Sequence, residues 1–123
     1  AGLSPDGSST YYMPRKIGDR RTRELMLTNR VLSADEALDW GVVNQVVADE
    51  DVLSTARKLA KKLAKGPTQA FGQVKSLLDG SFDHSLETQM ELEARGIAAM
   101  IDTPDGQEGL HAFLQKRKPD FKG

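Results

Sequence analysis

Asp6 is the first residue whose type and position could support catalysis, in the opening stretch GLSPDGSSTYYM (residues 2–13). A carboxylate on a loop can transfer a proton or attack an electrophile when the substrate is held beside it and charge is stabilised opposite. Pro-Asp-Gly is also a common turn sequence, because proline restricts φ, aspartate bonds nearby backbone and glycine accepts positive φ. The local sequence favours a turn former and leaves the catalytic interpretation of Asp6 open.

Two clusters of basic residues are candidate anion-binding surfaces. Most such clusters are simply solvated, but lysines beside an aromatic ring can hold a phosphorylated nucleotide by charge and stacking. Phe113 and Lys116 fit that description and are candidate binding residues. Nucleic acid is a poorer partner, since acidic residues are interleaved elsewhere and the formal net charge is −1. The clusters are Arg15, Lys16, Arg20, Arg21 and Arg23, and Lys116, Arg117, Lys118 and Lys122.

The sequence offers no group of residues at metal-ligand spacing. His84 and His111 lie far apart, and Glu87 with Glu91 forms a row typical of a solvated helix face. The glycine-rich opening lacks the lysine and the spacing of a phosphate-binding P-loop. We therefore predict no metal site and no P-loop.

The composition of the 123 residues suits one small cytoplasmic domain. The absence of cysteine excludes disulfides and thiolate metal sites and favours a reducing compartment. No apolar run approaches the ~20 residues that span a membrane, and no basic-then-apolar leader opens the sequence. We therefore expect no membrane association. The first residue is alanine, as expected for a processed N-terminus or for a piece of a longer chain.

Hydrophobic periodicity and capping residues predict a mainly α-helical chain with one short β element. Ser33 and Glu36 have the spacing of a capping box, and Gly41 suits the end of the same helix. The β-branched run at 42–47 (VVNQVV) predicts a strand, whose partner would be residues 30–32 or a segment outside this sequence. Thr103 and Pro104 suit the start of the last helix. The other predicted helices cover residues 9–16, 20–28, 50–65, 68–78 and 84–101.

Four stretches together resemble the C-terminal portion of the enoyl-CoA hydratase/isomerase, or crotonase, superfamily. They are GLSPDGSSTYYMPRKIG, ELMLTNRVLSADEALDWGVVNQVV, GPT and EGLHAFLQKRKPDF, and the resemblance covers essentially all 123 residues. It implies the C-terminal half of an α/β fold built from a spiral of β-β-α turns. Residues 1–48 would end the spiral core. Residues 49–123 would form a helical oligomerisation region that helps to build homotrimers or hexamers.

The resemblance also implies an acyl-CoA thioester as substrate. In the family, two backbone N–H groups form an oxyanion hole that stabilises the thioester enolate. Those donors, and the two glutamates of typical hydratases, come from segments N-terminal to the region present here. No metal or redox cofactor is implied, because coenzyme A arrives as part of the substrate.

The resemblance to this superfamily implies catalytic or binding roles for four residues. Asp6 matches the proton-transfer aspartate of family isomerases and the nucleophilic aspartate of the 4-chlorobenzoyl-CoA dehalogenase branch, where typical hydratases have glycine. Tyr11 resembles an acyl-pocket position, although core packing is an alternative role. Phe113 and Lys116 match the C-terminal helix that meets the CoA nucleotide of a neighbouring subunit. The run Gly7-Ser8-Ser9 departs from the pattern, because many relatives carry more glycine there.

The sequence therefore predicts an acyl-CoA enzyme with isomerase-type proton transfer by Asp6. Enoyl-CoA hydratase chemistry is one alternative. A catalytically silent helical assembly module is another, because an isolated chain without oxyanion donors would be inactive.

Overall fold

The computed structural model describes residues 2–123, and in that range the chain is helical throughout its regular structure. The mainly α prediction is confirmed. The described elements are α1 (Ser9–Ile17), α2 (Asp19–Thr28), α3 (Ala34–Asp39), a 3-10 turn (Asp49–Asp51), α4 (Val52–Ala64), α5 (Thr68–Gly80), α6 (Leu86–Ile101) and α7 (Pro104–Leu114).

The chain divides into two compact units, one ending at Val52 and one beginning at Leu53. In the first unit α1 packs against α2. In the second unit α6 packs against both α5 and α7. Each unit is described separately below.

The predicted strand at residues 42–47 is wrong, and no strand occurs among residues 2–123. The N–H groups of Val42 and Val43 instead donate to the carbonyl of Ala37, at 2.8 and 3.2 Å, and finish the preceding helix. A β-branched run forms a strand only where a neighbouring strand completes its hydrogen bonds. The described chain provides no such neighbour, so the run stays irregular.

The predicted capping signals are confirmed. Ser33 Oγ accepts a hydrogen bond from the Glu36 N–H at 3.2 Å, and the Glu36 carboxylate accepts one from the Ser33 N–H at 3.1 Å. Gly41 has a φ of 74°. Its N–H donates to the Leu38 carbonyl, as expected for a left-handed helix end. Thr103 Oγ1 accepts from the N–H of Gly106 and caps α7.

Little apolar surface is buried within the described chain. Ile17, Ala37 and Ala112 are its buried hydrophobic residues, while Leu78, Leu86, Ile97 and other large apolar side chains are exposed. The total accessible surface is 9995 Å². A folded monomer of 13.5 kDa has about 6,500 Å². Within residues 2–123, no helix combines the length and the apolar content that crossing a bilayer requires.

Candidate functional site

The backbone of Asp6 makes the predicted turn, but its side chain does not contribute to it. The Asp6 carbonyl accepts hydrogen bonds from the N–H and the hydroxyl of Ser9, at 3.1 and 2.8 Å. Gly7 and Ser8 between them have φ values of 59° and 60°. The Asp6 side chain is exposed, and among residues 2–123 its carboxylate has no hydrogen-bond or ion-pair partner. The turn therefore leaves the carboxylate available to another group.

Ser8 adds a strained residue to this loop. It is the N-cap of α1, but its side chain makes no capping hydrogen bond. A left-handed conformation at a residue other than glycine costs of order 1–3 kcal/mol and is often found at functional sites. The loop that carries Asp6 thus has a defined but costly backbone conformation.

Tyr11 lies on the first turn of α1, in the same unit as Asp6. Its side chain is partly exposed, and its ring packs edge-on against Tyr12 with 5.1 Å between ring centroids. The guanidinium of Arg15 lies 3.6 Å from the Tyr11 ring centroid and donates to the Tyr11 carbonyl at 2.9 Å. One face of the predicted acyl-pocket residue is therefore covered by a cation.

Phe113 and Lys116 lie at the end of α7, in the second unit. The Phe113 side chain is 79% exposed. Lys116 has a φ of 54°, and its N–H donates to the Phe113 carbonyl at 3.1 Å. The N–H of Arg117 donates to the Ala112 carbonyl at 3.0 Å. These bonds form a Schellman motif with lysine at the position that usually holds glycine.

The sequence-based prediction missed Glu108. Its carboxylate accepts two hydrogen bonds from the Arg117 guanidinium, at 2.6 and 2.8 Å, and one from the Asp120 N–H at 2.7 Å. Arg117 and then the Asp120 N–H lower the pKa of Glu108 from its ordinary value of 4.5 to about 2. Glu108 and Arg117 are nine positions apart and Arg117 lies beyond the end of α7, so spacing within one helix gives no signal for the pair.

Asp105 is a second acidic residue that contacts the end of the chain. Its side chain is buried and accepts hydrogen bonds from the N–H groups of Lys122 and Gly123, at 2.7 and 2.9 Å. Phe121 lies close to Gly109, where an added Cβ would be 3.4 Å from the Phe121 ring. These contacts hold the last residues of the chain, 117–123, against α7.

A large apolar groove lies between α5 and α6, also in the second unit. Its volume is about 560 Å³, and Val74, Leu77, Ile97 and Met100 are among the residues that line it. The Gln89 amide donates to the Leu77 carbonyl at 3.1 Å in this region. The groove contains none of the four predicted site residues.

Two of the four predicted site residues lie in each unit. Asp6 and Tyr11 belong to the first unit, and Phe113 and Lys116 belong to the second. Among the described residues, no group of three or more His, Asp or Glu side chains could hold a metal ion. The Nδ1 atom of His84 forms a hydrogen bond with the side-chain amide oxygen of Gln89, at a distance of 3.1 Å.

Comparison with known proteins places the chain in a family. The family model for enoyl-CoA hydratase/isomerase matches residues 1–123. The chain belongs to the enoyl-CoA hydratase/isomerase family. The resemblance found in the sequence is therefore confirmed.

Relatives within this family include enzymes named for different reactions. The chain is 40% identical over 115 residues to 4-chlorobenzoyl coenzyme A dehalogenase-1 of Arthrobacter sp, covering 94% of this chain and 42% of that protein. It is 39% identical over 122 residues to the 1,2-epoxyphenylacetyl-CoA isomerase of Escherichia coli, covering 99% and 47%. The chain spans about half the length of the curated relatives it matches.

A solved structure of the family has the same helical arrangement. It is the crystal structure of "Enoyl-CoA Hydrates Subunit I" from Geobacillus kaustophilus, with a TM-score of 0.94 and 34% identity. The match covers 99% of this chain and 48% of that one.

Proposed function

We propose that this chain is part of an enzyme that processes acyl-CoA thioesters, with the Asp6 carboxylate transferring a proton at a carbon near the thioester. The exposed Asp6 carboxylate, left without a partner by a turn that uses only its backbone carbonyl, carries this proposal. A general base needs a carboxylate that can reach the substrate, and this one has no competing bond within the described chain.

In the proposed isomerisation, Asp6 removes a proton from a carbon of an enoyl-CoA. The electron pair of that C–H bond delocalises into the thioester, and the thioester carbonyl oxygen takes up the negative charge of the resulting enolate. The same carboxyl group then returns the proton to a different carbon, and the double bond moves. Two N–H donors of an oxyanion hole stabilise the enolate, and we assign them to a segment outside this chain. Coenzyme A enters with the substrate, so the step needs no metal or redox cofactor.

The remaining site residues take supporting roles in the proposal. Tyr11 lines the acyl pocket, and Phe113 and Lys116 contact the CoA nucleotide. The partners are further copies of the protein, which form a homotrimer or hexamer in the cytoplasm. The spiral fold, with this chain as its C-terminal portion, belongs to the same proposal.

Hydratase chemistry is the alternative reaction. The chain is 36% identical over 123 residues to a probable enoyl-CoA hydratase of Bacillus subtilis, which supports this alternative. A hydratase adds water across the double bond, so its product is heavier by one water molecule. An isomerase gives a product of unchanged mass, so mass spectrometry of the acyl-CoA product separates the two reactions.

A helical assembly module is the second candidate function. The observation in its favour is the accessible surface, about 3,500 Å² above that of a typical folded monomer of this mass. A chain with so much exposed surface, much of it on large apolar side chains, is suited to packing against other polypeptide.

The experiment begins with the intact mass of the natural protein, because a mass near 13.5 kDa would place the oxyanion donors on another polypeptide. Asp6→Asn is then compared with Asp39→Asn, which removes another exposed carboxylate of the first unit. We expect kcat with enoyl-CoA substrates to fall about 100-fold or more in Asp6→Asn, with acyl-CoA affinity unchanged.

Asp39→Asn should retain the wild-type kcat. Equal turnover by wild type and Asp6→Asn would remove Asp6 from the mechanism. A 13.5 kDa protein that neither binds nor converts acyl-CoA would support the assembly module instead.

A further inference from the structure

Lys116 has a backbone conformation that is unfavourable for lysine. Its φ of 54° lies in the left-handed region, which costs an L-residue with a Cβ more than glycine. Glycine is the usual residue at this position of a helix end. An outlier of this kind persists only when the surrounding structure holds it, and it is a reason to look for a function.

The Arg117 side chain bonds residues on both sides of Lys116 in the sequence. Its guanidinium donates to the side-chain oxygen of Gln115 at 2.8 Å and to the carbonyl of Lys118 at 3.1 Å. Gln115, immediately before Lys116, and Lys118, two residues after it, are therefore both bonded to one planar group. Glu108 fixes that group by the two parallel bonds of a bidentate pair, which define its orientation as well as its position.

Charge is distributed unevenly along this segment. Arg117 is paired with Glu108, and Lys122 is paired with Asp120. Lys116 and Lys118 are exposed, and within residues 2–123 neither ammonium group has an acidic partner. Lys116 and Lys118 therefore leave two ammonium groups, one on each side of the anchored Arg117 in the sequence, available to phosphate oxygens.

We propose that Glu108 is a positioning residue: through Arg117 it holds Lys116 in the left-handed conformation, so that Lys116 and Lys118 together receive the phosphate groups of an acyl-CoA nucleotide. This inference rests on the proposed acyl-CoA function and adds two residues, Glu108 and Lys118, to its binding site. Glu108 itself contacts no ligand in this scheme.

Calorimetric titration of the full protein with two saturated probes tests the proposal. Butyryl-CoA carries the nucleotide and its phosphates, whereas butyryl-pantetheine carries the same thioester without them. In Glu108→Gln we expect the Kd for butyryl-CoA to rise about 5- to 10-fold, as for the loss of one ordinary hydrogen bond, and the Kd for butyryl-pantetheine to stay constant.

Glu91→Gln is the matched control. It breaks another exposed Glu–Arg pair, with Arg95 at 2.8 Å on α6, and should change neither Kd. A Glu108→Gln protein that loses thermal stability but keeps the wild-type Kd for butyryl-CoA would show a purely structural role and overturn the proposal.

Lys116→Gly tests the phosphate contact even if Glu108→Gln folds poorly, and a double-mutant cycle of the two variants tests the positioning role. Lys116→Gly removes the ammonium group while favouring the left-handed backbone, so it should weaken butyryl-CoA binding without loss of thermal stability. Adding Glu108→Gln to Lys116→Gly should weaken binding less than Glu108→Gln does alone, because most of its effect passes through Lys116. Additive effects would contradict the positioning role.

The outcomes separate this inference from the function on which it rests. Wild-type protein that binds neither probe refutes acyl-CoA binding itself. Wild-type protein that binds both, with Glu108→Gln weakening both equally, leaves the function standing and refutes the positioning role.

Discussion

Gly106 lies in the first turn of α7, where its backbone passes close to the end of α6. A Cβ placed on Gly106 would be 2.0 Å from the carbonyl oxygen of Met100 and 3.2 Å from the Cα of Ile101. Both are backbone atoms, so no side-chain rotation can relieve the overlap. We therefore predict that Gly106→Ala destabilises the second unit.

Two opposing effects set the size of this change. To reach a contact of 3.0 Å, the shortest that real Cβ atoms show, α7 must move about 1 Å away from α6. Overpacking of this kind costs about 1–3 kcal/mol, and a backbone clash belongs at the upper end. Alanine recovers about 1 kcal/mol through its higher helix propensity. We expect a net loss of about 2 kcal/mol in the free energy of unfolding.

Two other glycines in helices of the same unit serve as controls. A Cβ on Gly72 in α5 would meet no atom within 4 Å, so Gly72→Ala should gain about 1 kcal/mol from propensity alone. A Cβ on Gly109 in α7 would touch the Phe121 ring at an ordinary distance of 3.4 Å, and Gly109→Ala should gain a similar amount.

Urea unfolding followed by far-UV circular dichroism measures all three variants. The predicted difference between Gly72→Ala and Gly106→Ala is about 3 kcal/mol, well beyond the uncertainty of linear extrapolation. A urea midpoint for Gly106→Ala at or above that of Gly72→Ala would refute the close approach of α7 to α6.

Two further predictions concern polar groups. Ser33→Ala removes one half of the capping box and should lower the free energy of unfolding by about 1 kcal/mol, measured by the same urea titration; an unchanged midpoint would show that the cap adds no stability. The folded-state pKa of Glu108 is about 2 against an ordinary value of 4.5, so its stabilising effect is complete above pH 4.5 and is lost as the pH falls toward 2. The Tm of wild type should therefore fall faster than that of Glu108→Gln over this range, and parallel curves would contradict the pKa shift.

Local signals in the sequence predicted most helices, because those signals act within a few residues. Ser33 with Glu36, and Thr103 with Pro104, are helix starts whose hydrogen bonds form between neighbours in the chain. The predicted helix at 68–78 differs from α5 only at its C-terminal end. The family was also evident from sequence motifs alone, and the comparisons confirm it.

The predicted strand failed for a physical reason. A strand depends on a partner, and the partner can be distant in sequence or belong to another segment. The β-branched residues at 42–47 indicated only a preference for extended backbone, so the tertiary structure decided the outcome.

The sequence by itself determined where the helices begin, which family the chain belongs to and which residues are candidates for its chemistry. The tertiary structure alone decided that the Asp6 carboxylate makes no bond within its turn and that Glu108 meets Arg117. It also decided that Lys116 adopts a left-handed conformation. Glu108 meets Arg117 only because of the path that the chain takes after α7 ends, and a pattern within one helix does not record a contact between residues nine positions apart. The side-chain direction at Asp6 and the φ of Lys116 depend on backbone conformations that several residue types can adopt, so residue type alone does not specify them.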